Sequence, residues 1–541
     1  MRKWLLLLPI LFYSGISFAQ VHNIVIDSAL FNVGPNEPCI AIDPSNPNHI
    51  VAGSNTKNVY TSIDGGLTWY KNTLHSTFGV FGDPVIVADT SGSFYYFHLC
   101  QNDSITVWPQ YADRILCQRT DDISSNIWTN GGYTGWADEP KVEDKAWAVV
   151  DNQSNTIYVS WTRFDSYAST NHADSSIILF SKSIDKGDTW SPAMRLSRKA
   201  GDCTDESGTD EGAVPCIGTH GEVFVSWAEK DAIVFNRSID GGNTWLDSEV
   251  YVTNVPGGWS YNVPGLFRCN GLPYTACDVS NSAYKGTIYI NWTDQRNGIN
   301  NTDVWICKST DSGNTWSSPI KVNDDTGARQ QFMSSMSVDP ITGYIYVLFY
   351  DRRNYYDSSI YRGNFQNPTD VYLAISKDGA NSFQNYQISD APFFPRSGIF
   401  FGDYTYVAAY NNVIRPIWGC LWDTGTVLAT QDIRTAIIDS SILGFSTPTK
   451  AIAKNSLDIY PNPVSVRATI SFDLSIAGNV NIYLTDISGR KIEVLKRDEY
   501  FTAGTHYATL NCKDSNIPPG VYLLCLKSDN YIETKKILVT K

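Results

Sequence analysis

Charged residues recur at matching points of several apolar segments, and their types suit acid–base chemistry. Glu37, Asp83 and Asp144 each stand at the start of one apolar segment, and Glu211 and Asp403 start two more. Carboxyl groups that converge on a wet cleft can serve as general acid and general base, as in glycoside hydrolysis. Guanidinium groups, which bind oxyanions through two hydrogen bonds, follow the partner segments at Arg163, Arg296, Arg352 and Arg353.

The same residue types also form salt bridges between sheets and cap strand ends, so a structural role is the alternative for each of them. A ring of carboxylates could also hold Ca²⁺ through oxygen ligands, although no D-x-D-x-D-G loop occurs. No CxxC pair or Cys/His cluster is present, which argues against zinc. We predict no metal and no cofactor, with Ca²⁺ as the alternative.

The charged positions belong to seven pairs of apolar segments, which we predict to be paired antiparallel strands. The segments DPVIVAD and KAWAVVD, from Asp83 and Lys145, are followed by FYYFHLC and IYVSWTR. Such runs are typical of inner strands that are buried on both faces. Helical periodicity is hard to find, so the sequence predicts an all-β fold.

A short motif with the residues of a rigid turn follows most of these pairs. Its Asp can accept hydrogen bonds from backbone N–H groups, its Gly tolerates a positive φ, and its aromatic residue can be buried against a neighbouring unit. The five copies are SIDGGLTW from Ser62, SIDKGDTW from Ser183, SIDGGNTW from Ser238, STDSGNTW from Ser309 and SKDGANSF from Ser376.

The pattern S-x-D-x-G-x-x-W resembles the Asp-box, or BNR repeat, of the sialidase-like β-propellers. The resemblance implies blades of four antiparallel strands, with the box between the third and fourth strands. We predict a propeller over residues 20–445 with seven blades; a six-bladed ring with one split unit is the alternative. The box of the second blade is eroded over Arg119–Trp128, and Val21–Val33 supplies the missing strand of the seventh blade.

In this geometry the boxes occupy one face of the ring, and the inner strands start on the other face together with the longer loops. Function tends to be carried by long loops on a rigid scaffold. We therefore place the site on that second face, around the axis. Four aromatic residues of its loops are candidates for stacking on sugar rings, namely Trp259, Tyr261, Tyr355 and Tyr356.

Two positions resemble the catalytic residues of sialidases, in which a Tyr at the start of the last blade is the nucleophile and a mid-ring Glu shares its proton. Tyr404, next to Asp403, and Glu211 match these positions. The resemblance therefore implies Tyr404, Glu211 and Asp403 as catalytic residues. The family's first-blade Arg motif is replaced by Asn36-Glu37-Pro38-Cys39, and a Glu would repel a substrate carboxylate. True exo-sialidase activity is not expected.

The two ends of the chain carry export signals. Residues 1–19 combine Arg2 and Lys3 with an apolar run and a small-residue cleavage site, as a secretory signal peptide does. Residues 446–455 have the composition of a linker. Residues 456–541, with LDIYPNPV and IPPGVYLL, resemble the type A C-terminal sorting domain of the type IX secretion system. The resemblance implies a small β-sandwich and a secreted or outer-membrane-surface protein of a Bacteroidota-type bacterium.

Composition excludes two classes of partner. The formal net charge of −14 argues against nucleic acid and against an anionic membrane surface. No segment after the signal is long and apolar enough to span a bilayer. Eleven cysteines can oxidise in an exported protein, and their odd number leaves at least one thiol free.

The sequence thus predicts an exported glycosidase-like propeller that acts on a glycan or glycoprotein and contacts the type IX machinery through its tail. The alternative is a non-catalytic, adhesin-like propeller that binds glycans or proteins, because a fold does not determine a function.

Overall fold

The computed structural model describes residues 21, 23–30, 34–100, 112–355, 367–423, 429–438, 456–460, 462–474, 478–486, 490–501, 504–512, 517–528 and 531–540. The chain divides into two compact units, Met1–Leu443 and Gly444–Lys541. The predicted signal peptide (1–19) and linker (446–455) lie outside the described residues. Within the described ranges, no helix has the length and apolar character needed to cross a membrane.

The first unit consists of short strands joined by turns and loops. In chain order its strands are β1 (Asn23–Leu30), β2 (Cys39–Ile42), β3 (Ile50–Ser54), β4 (Asn58–Ser62), β5 (Tyr70–Thr73), β6 (Gly82–Ala88), β7 (Phe94–Cys100), β8 (Arg114–Thr120), β9 (Gly132–Thr134), β10 (Val142–Asp151), β11 (Thr156–Phe164), β12 (Ser176–Ser183), β13 (Met194–Arg195), β14 (Glu211–Ile217), β15 (Val223–Glu229), β16 (Ala232–Ser238), β17 (Val250–Asn254), β18 (Tyr274–Cys277), β19 (Ile288–Asp294), β20 (Asp303–Ser309), β21 (Ile320–Lys321), β22 (Gln331–Val338), β23 (Ile345–Asp351), β24 (Asp370–Ser376), β25 (Gln384–Gln387), β26 (Tyr406–Tyr410), β27 (Val413–Asp423) and β28 (Ala429–Ala436).

These strands form antiparallel sheets of four. The described part of the unit contains seven, of which six use consecutive strands from β2–β5 to β22–β25, and the seventh has the order β1-β28-β27-β26. The first strand of each sheet contacts the first strand of the next, and β26 contacts β2. The sheets therefore close a ring, which is the architecture of a β-propeller.

The N-terminal strand completes the last sheet, as the sequence predicted. Strand β1 pairs with β28 from Asn23 opposite Ala436 to Leu30 opposite Thr430. The backbone groups of β28 that would otherwise form an exposed sheet edge are thereby paired. The two ends of the propeller chain hold the same sheet together.

The Asp-box residues make the same contacts in each copy. In the first copy Asp64 Oδ1 accepts a hydrogen bond from the Thr68 N–H at 2.9 Å, and the Ser62 hydroxyl accepts one from the Gly66 N–H at 2.8 Å. Gly66 has a φ of 91°, which a glycine adopts without a Cβ clash. In the second sheet Thr120 and Asp122 occupy the Ser and Asp positions, and Asn126 takes the positive φ of 57°. The box Asp is thus a structural residue of the turn.

The Trp that closes a box packs on an aromatic ring of the preceding sheet. Trp190 lies 5.7 Å from Phe97, Trp245 lies 4.8 Å from Phe180, and Trp316 lies 5.2 Å from Phe235, all edge to face. Buried aromatic pairs of this geometry contribute about 0.5–1.5 kcal/mol beyond the area they bury. The repeat therefore links each sheet to its neighbour.

All eleven cysteines are buried and none is in a disulfide. Burial raises the pKa of each of these thiols, for example that of Cys39 in the first sheet and that of Cys420 in the last. Disulfide bonds, which the export signals made possible, are therefore not among the contacts that stabilise this fold.

The second unit consists of two antiparallel sheets around one apolar core. Its strands are β29 (Ser456–Tyr460), β30 (Arg467–Leu474), β31 (Gly478–Asp486), β32 (Lys491–Phe501), β33 (Gly504–Asn511), β34 (Gly520–Ser528) and β35 (Tyr531–Val539). The sheet orders are β29-β30-β33 and β32-β31-β34-β35. Ile470 and Phe472 of one sheet share the core with Leu484 and Leu524 of the other, as predicted for a small β-sandwich.

Candidate functional site

The inner strands of the ring begin with a kink that turns one side chain towards the axis. The pairing of β6, β10, β14 and β22 with their neighbours is shifted at this point, as in a β-bulge. At the equivalent position of the first three sheets, Glu37, Asp83 and Lys145 have φ values of 50°, 51° and 48°. A left-handed conformation costs a non-glycine residue about 1–2 kcal/mol. Met333 of β22 has the same conformation, with a φ of 49°, so the positive φ is a feature of the kink itself.

The kinked starts of β6, β10 and β14 line a cavity of about 450 Å³, whereas the start of β22 lines a separate small one. Loop residues such as Tyr167, Asp205 and Trp259 complete its wall, and no Asp-box residue takes part. The cavity therefore lies where the inner strands start. Of its lining residues, eight carry a carboxyl group and two a cationic group: Glu37, Asp83, Glu143, Asp144, Asp205, Glu206, Glu211 and Asp403, with Lys145 and Arg268.

Lys145 is the centre of a buried charge cluster in this cavity. Its Nζ lies 3.0 Å from Asp403 Oδ2, 3.7 Å from Asp83 Oδ2 and 3.8 Å from Glu37 Oε1. Arg268 forms a two-pronged pair with Asp403, through Nε to Oδ1 at 2.8 Å and through Nη2 to Oδ2. Burial opposes ionisation of Asp403, but Lys145 and Arg268 outweigh it and lower the pKa of Asp403 to about 2. Asp403 is an anion at every physiological pH.

Glu211 and Asp144, unlike Asp403, lie in environments that favour the protonated carboxyl group. Glu211 is fully buried and neither of its carboxyl oxygens has a hydrogen-bond partner among the described residues. Burial, followed by the charge of Asp205, raises its pKa well above the usual value. Burial and the charge of Asp83 raise the pKa of Asp144 to about 8. One cavity thus holds a carboxyl group with a lowered pKa beside two with raised pKa values, and environments that separate pKa values in this way distinguish acid from base roles.

An aromatic layer lies beneath the charge cluster. The Trp147 ring contacts Tyr274 at 5.0 Å, Tyr404 at 5.6 Å and, stacked, Tyr406 at 5.8 Å. Tyr404 lines a second cavity of only about 20 Å³, whose wall also includes Lys145 and Asp403. The packed rings Trp147, Tyr274 and Tyr404 thus line the small cavity.

The structure places Tyr404 and Glu211, the pair implied by the sialidase resemblance, in the walls of different cavities. It gives no hydrogen bond between them in the described part of the chain. Burial raises the pKa of Tyr404 well above the usual value, and the charges of Glu37 and Asp83 add to the effect. Catalysis by this pair stays a prediction, without a contact that activates the phenol.

The four arginines predicted to bind substrate are engaged elsewhere, and none of them lines either cavity. Arg163 pairs with Glu143, and Arg296 pairs with Asp294. Arg353 pairs with Asp351. Arg352 donates to the Thr369 hydroxyl at 3.0 Å and to the Pro264 carbonyl at 2.7 Å. The carboxylate partner lies on the neighbouring strand for Arg163 and on the same strand end for Arg296 and Arg353. In these contacts the side chains stabilise strand ends, and substrate binding by them stays a prediction.

Two of the aromatic candidates are buried. Trp259 lines the cavity and donates its Nε1–H to the Thr209 carbonyl at 3.0 Å, and Tyr261 bonds the Thr293 hydroxyl at 2.5 Å. Tyr355 is bonded to Asp370 at 2.9 Å, and Tyr356 lies outside the described residues. The expectation of exposed stacking rings was therefore wrong for Trp259 and Tyr261.

Several lining residues escaped the sequence analysis. Asp205 and Glu206 come from the loop before β14, and Glu143 precedes Asp144 in β10. The acidic run around Asp202–Glu211 was the available signal. Among the described residues, no group of three or more His, Cys, Asp or Glu is arranged to hold a metal ion; calcium binding stays a prediction.

The raised pKa of Asp144 makes folding stability depend on pH. An unfolded Asp loses its proton near pH 3.9, whereas native Asp144 keeps it until about pH 8. The native state therefore binds the extra proton between these values, so its stability falls as pH rises through this window. We expect the melting temperature of the propeller to be several degrees lower at pH 8 than at pH 5. Asp144→Asn should make this slope shallower without removing it, because burial also raises the pKa values of Glu37, Glu143 and Glu211. An equal slope in the variant would contradict the assignment.

Comparison with known proteins identifies the second unit. Residues 458–540 match the secretion system C-terminal sorting domain. A search among curated proteins finds no match for the chain.

Solved structures with a related chain path include two sialidases and a lyase. The Hadza microbial sialidase Hz136 shares 14% identity and covers 72% of this chain and 74% of its own, with a TM-score of 0.37. The NanB sialidase from Streptococcus pneumoniae shares 9% identity, covers 72% and 83%, and has a TM-score of 0.42. The PL25 ulvan lyase shares 12% identity, covers 76% and 96%, and has a TM-score of 0.45.

Proposed function

We propose that this protein, which the type IX secretion system exports by means of its C-terminal sorting domain, is a glycoside hydrolase that cleaves uncharged glycans outside the cell. The observation that carries the proposal is the unlike pair of carboxyl environments in one cavity. Glu211 is buried and its carboxyl oxygens have no hydrogen-bond partner in the described part of the chain, whereas Asp403 lies between Lys145 and Arg268.

In this proposal Glu211 is the general acid. It gives its proton to the glycosidic oxygen as the bond from that oxygen to the anomeric carbon breaks. Water adds to the anomeric carbon and passes a proton to a carboxylate of the wall, for which Asp83 is the candidate. The Asp83 side chain is 16% exposed, and its Oδ2 lies 3.7 Å from Lys145 Nζ. Asp403, whose charge is compensated by Lys145 and Arg268, holds these two cations in place.

The charge of the cavity supports an uncharged substrate. The described cavity wall has eight carboxyl groups against two cations. Burial favours the uncharged form of some of these carboxyl groups, such as Glu211, but both cations already contact carboxylates. An acidic sugar would meet repulsion from Asp83, Asp205 and Glu206 and would find no free arginine in the cavity wall. Sialosides and uronic acids are therefore disfavoured as substrates.

The Tyr404 mechanism implied by the sialidase resemblance and the non-catalytic glycan binder remain the competing hypotheses. The close packing of Tyr404 beneath Lys145, whose Nζ lies 5.7 Å from the ring centre, favours a structural role for the phenol.

A panel of labelled glycans tests the proposal. The whole chain is incubated with neutral oligosaccharides of hexose and N-acetylhexosamine, and with sialosides and uronate oligomers of matched length. We expect cleavage among the neutral members only. Binding without cleavage would favour the adhesin-like alternative, and cleavage restricted to sialosides would overturn the proposed substrate class.

A further inference from the structure

Three aromatic rings surround one guanidinium group at the edge of the second sheet. The Arg114 guanidinium carbon lies 4.6 Å from the ring centre of Tyr133, 5.3 Å from Phe78 and 5.8 Å from Trp136. Phe78 and Tyr133 also meet edge to face at 5.2 Å. Trp136 is 62% exposed and Tyr133 39% exposed. We call Phe78, Arg114, Tyr133 and Trp136 the rim platform.

The rim platform is held rigidly although its rings face solvent. Asp113 pairs with Arg114 through two hydrogen bonds, at 2.8 Å and 2.6 Å. The loops that carry Phe78 and Tyr133 are joined by Asn130, which bonds the Thr77 N–H and hydroxyl at 2.9 Å each. A rigid exposed aromatic surface loses little conformational entropy when a ligand binds.

The rim platform borders the acidic cavity. Ala112, two residues before Arg114, lines the cavity. From the other side Arg163 donates to the Gly135 carbonyl at 2.8 Å and to Glu143 Oε1, and Glu143 is part of the cavity wall. One ion pair thus connects the loop of Trp136 with the cavity.

We propose that the rim platform is a second carbohydrate subsite, which stacks a pyranose ring of the glycan whose cleaved bond lies in the cavity. The inference rests on the proposed function. The apolar C–H face of a sugar packs on an exposed indole, and the partly exposed Asp113–Arg114 pair offers an acceptor and donors to its hydroxyls. Packing alone does not account for Trp136, because a ring that is mostly in water adds little to the core.

The inference is tested by chain-length dependence. Probes are reducing-end-labelled N-acetylchitooligosaccharides and cello-oligosaccharides, from the monomer to the hexamer, titrated against the whole chain. We expect wild-type affinity to rise with length in one series. In Trp136→Ala the affinity should no longer rise with length, so the longest oligomers should bind to it about tenfold more weakly than to wild type. Trp136→Phe should keep part of the rise. Tyr251→Ala is the matched control, because Tyr251 is 61% exposed on another sheet.

Each outcome decides the matter. Equal affinities of Trp136→Ala and wild type for every oligomer, or wild-type binding of neither series, would overturn the rim platform. Length-dependent binding that Trp136→Ala removes would support it even when no oligomer is cleaved, in which case the proposed hydrolysis fails separately. Cleavage by Trp136→Ala that matches wild type at every length would retain the hydrolysis and reject the subsite.

Discussion

Replacing Glu211 with Gln is expected to lower turnover of a cleaved glycan by about 10²–10⁴-fold, the usual contribution of a general acid. Gln has the shape of a protonated Glu but cannot deliver a proton to the leaving oxygen. Folding and ligand binding should change little, because Gln matches the size of Glu and burial favours the uncharged form of Glu211. Initial rates at saturating substrate, with the dissociation constant measured in parallel, separate the two effects.

Asp210→Asn is a matched control for this experiment. Asp210 is the neighbouring residue, is equally buried and also has no hydrogen-bond partner for its carboxyl oxygens among the described residues, but it does not line the cavity. We expect it to keep turnover near the wild-type level. Undiminished turnover in Glu211→Gln would remove Glu211 from the mechanism.

Tyr404→Phe discriminates between the two hydrolytic mechanisms. If Tyr404 only packs against Trp147, removal of its hydroxyl leaves turnover within a few-fold of wild type. A loss as large as that of Glu211→Gln would instead favour the covalent route implied by the sialidase resemblance.

Asp403→Asn is expected to destabilise the propeller by about 3–5 kcal/mol, the range for removing one partner of a buried ion pair. The change leaves Lys145 and Arg268 without their shared counter-ion in a buried site. Urea unfolding followed by intrinsic fluorescence measures the effect as a lower midpoint. Asp188→Asn, which removes a 60% exposed partner of Arg119, is the control and should cost less than about 1 kcal/mol.

A double variant shows whether the loss comes from the unpaired cation. Lys145→Met combined with Asp403→Asn removes both charges of the 3.0 Å pair and should be more stable than Asp403→Asn alone. A loss below about 1 kcal/mol in Asp403→Asn would mean that the charge cluster does not support the fold. No recovery in the double variant would mean that Asp83 and Glu37, which also contact Lys145, need its charge.

The fold was predictable because its signals are local. The Asp-box turn needs only residues that are four apart, such as Asp64 and Thr68, so its chemistry can be recognised in the sequence. The pairing of β1 with β28 could also be anticipated, since the last sheet lacked one strand. The acidic strand starts Glu37, Asp83 and Glu211 were likewise visible, and they do line the cavity.

The charge cluster and the pair of Arg163 with Glu143 could not be predicted in this way. Arg268 and Asp403 are 135 residues apart, and Lys145 and Asp403 are 258 apart. Their contact depends on closure of the ring and on the kink that turns Lys145 towards the axis. Arg163 fits a ligand-binding arginine equally well by sequence, and only the pairing of β10 with β11 places it on Glu143.

Sequence by itself therefore determined the repeating sheets, the closing strand, the sorting domain and the supply of carboxyl groups, because each is encoded in short stretches of chain. Tertiary structure alone decided which carboxyl groups have raised pKa values and which arginines are paired with carboxylates. Both properties depend on burial and on the nearest charge, and in a closed ring the nearest charge comes from a distant part of the chain.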